Sequence, residues 1–189
     1  MSGEPEWAHV SGWSQGPDDF HSISCVIVAR NVAASLSRML PVLSDELTEI
    51  GYPWEITCVD CASTDRTPSL LEAWSEIPGF CWIRLARNCG VVAATHAGLS
   101  RARGDAIIVL NAGAEPKFVQ LPNLVAKWRN GSSIVVVRDP EHRGESVVSW
   151  NMDDPLAVGE EDEPGGPSAI QALLLDRCVV DRLLRGGQS

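Results

Sequence analysis

The sequence has little of what would place the chain in a membrane or on a nucleic acid. Among its 189 residues no apolar run approaches the roughly 20 residues that a membrane-spanning helix needs. The first residues, MSGEPEWAHVSGW, have neither a basic region nor an apolar core, so they do not resemble a secretory signal. Fifteen basic residues stand against 25 acidic ones, and this net charge of −10 argues against nucleic acid or anionic lipid as the main partner. We therefore expect a cytoplasmic protein.

The sequence also lacks the cysteine pattern of a disulfide framework or a zinc site. Most of its six cysteines stand in apolar, strand-like runs, which favours reduced and packed thiols. Cys58 and Cys61 have the C-x-x-C spacing, which in other contexts marks half of a zinc site or a redox pair. No second C-x-x-C and no histidine pair completes a zinc site. We expect both thiols to be packed, reduced and free of metal.

The negative charge is concentrated in two irregular segments. Residues 1–20 contain four acids and no lysine or arginine, and residues 139–165 contain nine acids and one arginine. The rest of the chain therefore sums to a charge of +2. Such acidic blocks are usually solvated tails or loops. We interpret 1–21 as a loose N-terminal arm and 139–167, which is rich in proline and glycine, as a loop that is either functional or poorly ordered.

Apolar strands alternate with helices through the rest of the chain. The predicted strands are 22–29, 54–60, 80–86, 105–110 and 132–138, and the predicted helices are 32–50, 65–77, 91–103 and 117–130. Asn31 is expected to cap the first helix, Pro41 to kink or break it and Gly51 to end it, while Ser63 or Thr64 should cap the second. Residues 168–189 read as a short strand or helix followed by a helix.

This alternation predicts a single α/β domain, Rossmann-like, in which a mostly parallel sheet is sandwiched by helices. Residues 22–138 would form the core, and 168–189 would complete it. In such sheets ligands bind beyond the carboxyl ends of the strands. The turns at those ends are Ala29–Asn31, Asp60–Asp65, Arg87–Gly90, Asn111–Glu115 and Arg138.

These turns suit an anionic ligand such as a nucleotide phosphate, because they combine arginines with helix N-termini. The sequence has no P-loop, no dinucleotide-binding G-x-G-x-x-G and no G-x-S-x-G nucleophile elbow. Asp60 has two readings, as a cap of the following turn or as a contact to a nucleobase or ribose. His96 is expected to be a packing or surface residue. Among seven tryptophans, Trp150 in the acidic loop is the one worth testing as a ligand contact.

Five segments, in order, resemble fingerprints of family 2 glycosyltransferases with the GT-A fold, especially polyprenyl-phosphate sugar transferases similar to dolichol-phosphate mannosyltransferase. SCVIVARN resembles that family's V-V-I-P-V-Y-N-E, and EITCVDCASTDRT resembles E-I-I-F-V-D-D-G-S-T-D-G-T. IRLARNCGVVAATHAGLSRARGD resembles I-R-L-S-R-N-F-G-x-x-A-A-x-x-A-G-L-x-x-A-x-G-D. LVAKWRNGSSIVVVR and LLLDRCVVDRLL resemble later family segments. The resemblance covers roughly residues 22–185 and implies the GT-A-like nucleotide-sugar-binding fold.

The chain departs from the family pattern where the family binds its metal. The resemblance implies a D-x-D motif after the fourth strand, whose carboxylates hold a divalent metal on the sugar-nucleotide diphosphate. Here the motif is Asn111-Ala112-Gly113, with Glu115 as the nearest carboxylate. The first interpretation of Asn111-Ala112-Gly113 is an ordinary turn in which the metal site has been lost. The other reading is a metal-independent site in which Arg138 and helix termini carry the phosphate charge. We expect no cofactor, and Mg²⁺ or Mn²⁺ only if Glu115 compensates.

Other motifs are altered as well. Cys61 replaces the second acid after Asp60, while Val28, Arg30 and Val32 stand for proline, tyrosine and glutamate of the opening motif. An acid expected before the late L-L-D-R segment is missing from AIQAL, and the region before that segment is short. The residues that we expect to remain of the implied nucleotide site are Asn31, Asp60, Arg87, Asn88, Gly90, Asn111 and Arg138, with Arg143 as a further candidate.

Two functions compete on this evidence. In the first, the chain is a weakly nucleotide-binding or non-catalytic relative, a pseudo-glycosyltransferase, with no catalytic residues of its own and an active transferase as its partner. In the second, it transfers a sugar from a nucleotide-sugar to an acceptor, either without metal or with help from Glu115. Three altered chemical elements on a retained scaffold favour the first. We expect neither nucleic-acid binding nor an integral membrane segment.

Overall fold

The computed structural model describes residues 21–112, 121–138, 147–150 and 170–186. Within these ranges seven strands form one sheet. They are β1 (Ile23–Ala29), β2 (Trp54–Asp60), β3 (Phe80–Arg84), β4 (Ala106–Asn111), β5 (Ile134–Arg138), β6 (Val147–Trp150) and β7 (Ile170–Asp176). The helices are α1 (Ala33–Ile50), α2 (Thr67–Trp74), α3 (Gly90–Leu99), α4 (Leu121–Arg129) and α5 (Arg177–Gly186).

The strand order is β3-β2-β1-β4-β7-β5-β6. Strands β1, β2, β3 and β4 are mutually parallel, and β7 runs antiparallel to both β4 and β5. Strand β5 therefore points the same way as β1, so five of the seven strands share one direction. The predicted mostly parallel α/β sheet is confirmed. The insertion of β7 between β4 and β5 was not foreseen, because a strand's place in the sheet depends on contacts between distant segments.

Helices cover both faces of the sheet, as predicted. One face packs against α1 and α4, whose buried leucines join Ile23, Cys25 and Ile27 of β1 in the larger core. The opposite face packs against α3 and α5. Helix α3 approaches β1 and β2 closely through Gly98, where an added Cβ would collide with Val26 Cγ1. The near-continuous burial of β1 and β2 explains why their sequences are unbroken apolar runs.

Three local predictions about helix α1 have different outcomes. The helix ends at Gly51, which has the left-handed φ of 82°, as predicted. Pro41 does not break it, and the helix is continuous from Ala33 to Ile50. Pro41 lies on the exposed side, where water can bind the carbonyl that its missing N–H leaves free. Asn31 does not cap it, because Val32 occupies the N-cap position and the Asn31 side chain binds elsewhere.

Two further predictions need correction. Neither Ser63 nor Thr64 caps α2, whose N-cap position is Arg66 without a side-chain cap. The acidic segment 139–167, predicted to be a loop, contains the strand β6, which pairs antiparallel with β5 at the end of the sheet. An edge strand of four residues leaves a weak sequence signal among acids and prolines. For residues 168–189, the strand-then-helix alternative is correct. The N-terminal arm and most of the acidic segment lie outside the described residues.

Candidate functional site at the carboxyl ends of the strands

Strand register brings the predicted site residues to one edge of the sheet, which we name the carboxyl edge. Ala29 at the end of β1 lies opposite Asp60 at the end of β2, and Asp60 lies opposite Arg84 of β3. On the other side of β1, Val28 lies opposite Asn111, the last residue of β4. Arg138 ends β5 at the same edge, beyond the intervening β7. The carboxyl ends of β1 to β5 therefore lie at one edge of the sheet, as the sequence predicted.

The first loop (residues 30–32) and the second loop (residues 61–66) are bound to each other reciprocally. The Asn31 side-chain oxygen accepts a hydrogen bond from the backbone N–H of Thr64 at 2.8 Å. In return, the Asp65 carboxylate accepts from the backbone N–H of Ala33 at 3.2 Å, and from that of Thr67 at 2.9 Å. Each loop thus satisfies N–H groups of the other, including the Ala33 N–H that begins α1. Asp65 also binds the Thr67 N–H that begins α2 within its own segment.

Two more hydroxyl groups complete this contact. Ser63 Oγ accepts from the Asn31 N–H at 2.9 Å, and Thr67 Oγ1 accepts from the Val32 N–H at 3.1 Å. The backbone is unusual in both loops, since Asn31 and Ala62 have φ values of 53° and 55°. Asparagine tolerates that left-handed region, whereas alanine is strained there. The loops are therefore held in a defined shape at the edge where a ligand would bind.

Asp60 lies at this edge between β1 and β3 and is fully buried. Its Oδ1 accepts a hydrogen bond from the Ser63 N–H at 3.0 Å, so the turn-capping role considered from the sequence is present. Its Oδ2 lies 3.5 Å from Arg84 Nε and has no hydrogen-bond partner within the described ranges. The Arg84 guanidinium also donates to the Ser63 carbonyl oxygen at 3.3 Å. One carboxylate oxygen therefore retains hydrogen-bonding capacity at the edge.

The turn after β3 is open to solvent. Arg87, Asn88 and Gly90 are all exposed, and the Asn88 side-chain oxygen accepts from the Gly90 N–H at 3.2 Å. Helix α3 begins at Gly90 and exposes Val91 and Val92 in its first turn. The Leu85 N–H donates to the Asp60 carbonyl oxygen at 2.9 Å, which ties this turn to the end of β2.

The known proteins that this chain resembles identify its family. The sequence model described as Glycosyl transferase family 2 matches residues 24–176, most of the chain. The chain belongs to glycosyl transferase family 2. The family and the fold inferred from the five sequence fingerprints are thereby confirmed.

Its curated relatives in family 2 include sugar transferases. An undecaprenyl-phosphate 4-deoxy-4-formamido-L-arabinose transferase of Pseudomonas aeruginosa is 36% identical over 130 residues, which are 68% of this chain and 38% of the relative. An uncharacterised glycosyltransferase of Synechocystis is 31% identical over 127 residues, 67% of this chain and 40% of the relative. This family 2 chain thus spans about two fifths of the length of these relatives.

Solved structures show the same fold at low sequence identity. The mannosyltransferase PcManGT from Pyrobaculum calidifontis, in complex with GDP-Man and Mn²⁺, aligns with a TM-score of 0.60 at 19% identity, covering 94% of this chain and 51% of that chain. Glucosyl-3-phosphoglycerate synthase from Mycobacterium tuberculosis aligns with a TM-score of 0.51 at 20% identity, covering 67% and 50%. In the part of this chain that the structure describes, no helix has the length and apolarity to cross a membrane.

The metal-binding position of family 2 is altered in this chain. Asn111 ends β4 and Ala112 is buried beside it, while the Asn111 side chain, Gly113 and Glu115 lie outside the described residues. An amide and a methyl group are poor ligands for Mg²⁺ or Mn²⁺, which prefer anionic oxygens. Within the described ranges no three His, Cys, Asp or Glu side chains are grouped to hold a metal ion. The residues that are described here therefore do not fit the implied metal.

Arg138 and Arg143 differ from the other candidate site residues in how much of them the structure describes. The backbone of Arg138 ends β5 after a register irregularity, with β7 between it and Asn111. Since neighbouring strands lie about 4.8 Å apart, the two backbones are roughly 10 Å apart. The Arg138 side chain and all of Arg143 lie outside the described residues. For Trp150 in β6 and for Gln171, the glutamine of AIQAL in β7, only the backbone is described.

The C-x-x-C pair is packed as predicted. Cys58 and Cys61 are free thiols and both are buried. Burial raises the pKa of the Cys58 thiol well above its usual range. The pKa of the Cys61 thiol is also raised, mainly by burial and to a smaller extent by the negative charge of Asp60. Both thiols are therefore protonated at neutral pH. His96 is exposed on α3, consistent with the surface reading.

Sequence reasoning missed two features of the edge. Arg84 was read only as part of a fingerprint, yet it is the ion-pair partner of Asp60. Its position in β3, directly opposite Asp60, could not be known before strand register was known. The reciprocal contact of Asn31 and Asp65 was also missed, because these residues are 34 positions apart in the sequence. The S-T-D segment was the available signal, since such residues often bind the backbone of neighbouring turns.

Proposed function

We propose that this family 2 chain binds a nucleotide or nucleotide-sugar at its carboxyl edge, weakly and without a divalent cation, and does not transfer the sugar. It would then act as a nucleotide-binding partner of an active transferase. The single observation that supports binding most strongly is Asp60, whose buried Oδ2 has no hydrogen-bond partner within the described ranges. A ribose hydroxyl or nucleobase N–H could donate to this oxygen once the Arg84 side chain, which is half exposed, moves aside.

The proposed loss of transfer rests on the chemistry of the altered positions. Transfer from a nucleotide-sugar requires the leaving diphosphate to be neutralised, and family 2 enzymes that resemble this chain are expected to do so with a metal on D-x-D. Here Asn111 and Gly113 replace both carboxylates, and Cys61 replaces the acid next to Asp60. A scaffold with ordered loops and without these charges supports recognition better than it supports catalysis.

The alternative is an active transferase, supported by the 36% identity to an undecaprenyl-phosphate sugar transferase. Glu115 would then be the carboxylate that replaces D-x-D. Incubating the chain with UDP- and GDP-sugars, Mn²⁺ and a polyprenyl phosphate distinguishes the two functions. Our proposal expects no glycosylated lipid, and stoichiometric transfer that disappears in Glu115→Gln would establish the alternative.

Binding itself is tested by calorimetric titration of UDP and GDP in the presence of EDTA. Asp60→Asn keeps an oxygen for the Ser63 N–H but places an amide donor where Oδ2 accepts, and it removes the ion pair with Arg84. We expect about tenfold weaker nucleotide binding, since hydrogen bonds to a charged acceptor contribute about 1.5–3 kcal/mol. Asp45→Asn makes the same chemical change at an exposed position on α1 and should have no effect. Equal affinities for both variants and the wild type would contradict the proposed role of Asp60.

A further inference from the structure

The carboxyl edge is rich in arginine although the chain as a whole is strongly acidic. Arg30, Arg66 and Arg87 lie in its turns and Arg84 ends β3, and all four are exposed. Arg84 pairs with Asp60, whereas the other three have no ion pair within the described ranges. The nearby Asp65 carboxylate accepts backbone hydrogen bonds from Ala33 and Thr67 and supplies one negative charge against the three arginines. Among the described residues, the edge therefore carries a local excess of exposed positive charge.

The two loops fix where Arg30 and Arg66 stand. Arg30 directly follows β1 and precedes Asn31, whose N–H and side chain are bound by the second loop. Arg66 follows Asp65, which binds the start of α1, and directly precedes α2. Because these hydrogen bonds join the first and second loops, the backbones of Arg30 and Arg66 are held in a fixed relation to each other at the carboxyl edge.

A second observation places Arg30 beside the turn that follows β2, because the carbonyl oxygen of the preceding Ala29 accepts a hydrogen bond from the Cys61 N–H at 2.8 Å. Burial and the Asp60 charge raise the pKa of the Cys61 thiol, while Arg30 acts in the opposite sense, so its positive charge lies near Cys61. Arg84 reaches the same turn and donates to the Ser63 carbonyl oxygen at 3.3 Å. Two guanidinium groups therefore flank the turn that follows β2.

Both positions depart from the family pattern quoted above. Arg30 stands where that pattern has tyrosine, and Arg66 where it has the glycine of S-T-D-G-T. The same chain has lost the two carboxylates at Asn111 and Gly113. A divalent cation contributes a charge of +2, and two guanidinium groups contribute the same charge without needing carboxylate ligands. Guanidinium also forms paired hydrogen bonds with phosphate oxygens.

We propose that Arg30 and Arg66 bind the diphosphate of the nucleotide and neutralise its charge in place of a divalent cation. This inference rests on the proposed nucleotide binding at the same edge and assigns its charge recognition to two specific side chains. It makes the site selective for the number of phosphates, because the arginines contact the diphosphate and Asp60 contacts the nucleoside. Binding must then weaken as salt is added, since exposed charge pairs are screened.

The test is calorimetric titration in EDTA with three probes: pyrophosphate, UDP and UMP. The variant is the pair Arg30→Ala and Arg66→Ala, and the matched control is the pair Arg101→Ala and Arg103→Ala. The control arginines are also exposed and lie just after α3, at the opposite edge of the sheet, so the change in net charge is identical. We expect pyrophosphate and UDP to bind about tenfold or more weakly to the first pair, at about 1.4 kcal/mol per factor of ten. UMP should lose less, and the control should stay within about twofold of wild type.

A second variant keeps the positive charge at both positions and removes the planar guanidinium group. Replacing both edge arginines by lysine should retain part of the pyrophosphate affinity, because lysine is a point charge without the planar fork. If wild type binds UDP and the alanine pair at the edge behaves like the control pair, the assignment to Arg30 and Arg66 is wrong while nucleotide binding stands. If wild type binds none of these probes, nor GDP, in EDTA, the proposed function fails and this inference fails with it.

Discussion

At the scale of single residues, Ala62 holds a backbone conformation that suits glycine. Its φ of 55° lies in the left-handed region, and the family pattern has glycine at this place in D-D-G-S-T-D. A non-glycine residue there costs about 1–2 kcal/mol. We therefore expect Ala62→Gly to stabilise the fold by about 1 kcal/mol after the added flexibility of the unfolded chain is subtracted.

Urea unfolding of Ala62→Gly measures this effect. Ala93→Gly, at an exposed position inside α3, is the matched control and should destabilise by about 1 kcal/mol, because glycine disfavours a helix interior. Destabilisation of similar size by both substitutions would show that Ala62 is not strained.

The thiols provide a second residue-scale prediction. Cys89 is exposed, whereas Cys58 and Cys61 are buried and have raised thiol pKa values. Because the thiolate is the reactive form, a disulfide reagent at neutral pH should label Cys89 in a fast phase and the buried pair only after unfolding. Cys178 is exposed too, but its hydrogen bond to Asp176 raises its pKa, so it should react more slowly than Cys89. Loss of the fast phase in Cys61→Ala rather than in Cys89→Ser would contradict this order.

At the scale of elements, the reciprocal contact of the two loops depends on the ionised Asp65 carboxylate. Loss of hydration alone would raise its pKa, but hydrogen bonds from Thr67 and Ala33 outweigh this effect and lower the pKa below the usual value. A lowered pKa means that the ionised group stabilises the fold above the unfolded pKa of about 3.9 and that this contribution is lost as pH falls further. The carboxylate is exposed, which keeps the effect small.

We expect Asp65→Ala to destabilise the protein by about 0.5–1 kcal/mol at neutral pH, as the loss of a helix cap does. Urea unfolding at several pH values checks this, with the difference from wild type shrinking as pH falls from the unfolded pKa of about 3.9 through the lowered pKa of the folded state. Asp45→Ala on α1, which caps no helix, serves as the control. A difference that stayed constant as pH fell would show that the ionised carboxylate is not the stabilising group.

The elements themselves were largely predictable, and their contacts were not. Unbroken apolar runs such as ISCVIVA identify buried strands, because a parallel strand covered on both faces has no polar side. The caps of α1 and α2 were misassigned. The Ala33 N–H that begins α1 binds Asp65 of the other loop, and the sequence does not show such a contact between distant segments. The Thr67 N–H that begins α2 binds Asp65, two residues before it, rather than Ser63 or Thr64. Strand β6 and the insertion of β7 were missed because edge position and strand order depend on tertiary packing.

At the scale of the whole molecule, a family 2 fold is retained in a chain that spans about two fifths of the length of its curated relatives. The turns at the carboxyl ends could be predicted to converge, because parallel strands end at one edge. The chemical groups in these turns were predictable only where the identity of a single residue decides, as for the missing carboxylates at Asn111 and Gly113. The pairing of Asp60 with Arg84 required the strand register.

The most direct test of the account is the affinity of the wild-type chain for UDP and GDP, measured calorimetrically in EDTA and again with Mn²⁺. We predict weak binding of one of the two nucleotides with dissociation constants that agree within about twofold in both conditions, because no bridging cation contributes to the affinity. Asn111→Asp combined with Gly113→Asp should introduce cation dependence and serves as the positive control. Tight binding by the wild type in Mn²⁺ alone, with turnover of the sugar nucleotide on an acceptor, would contradict the account.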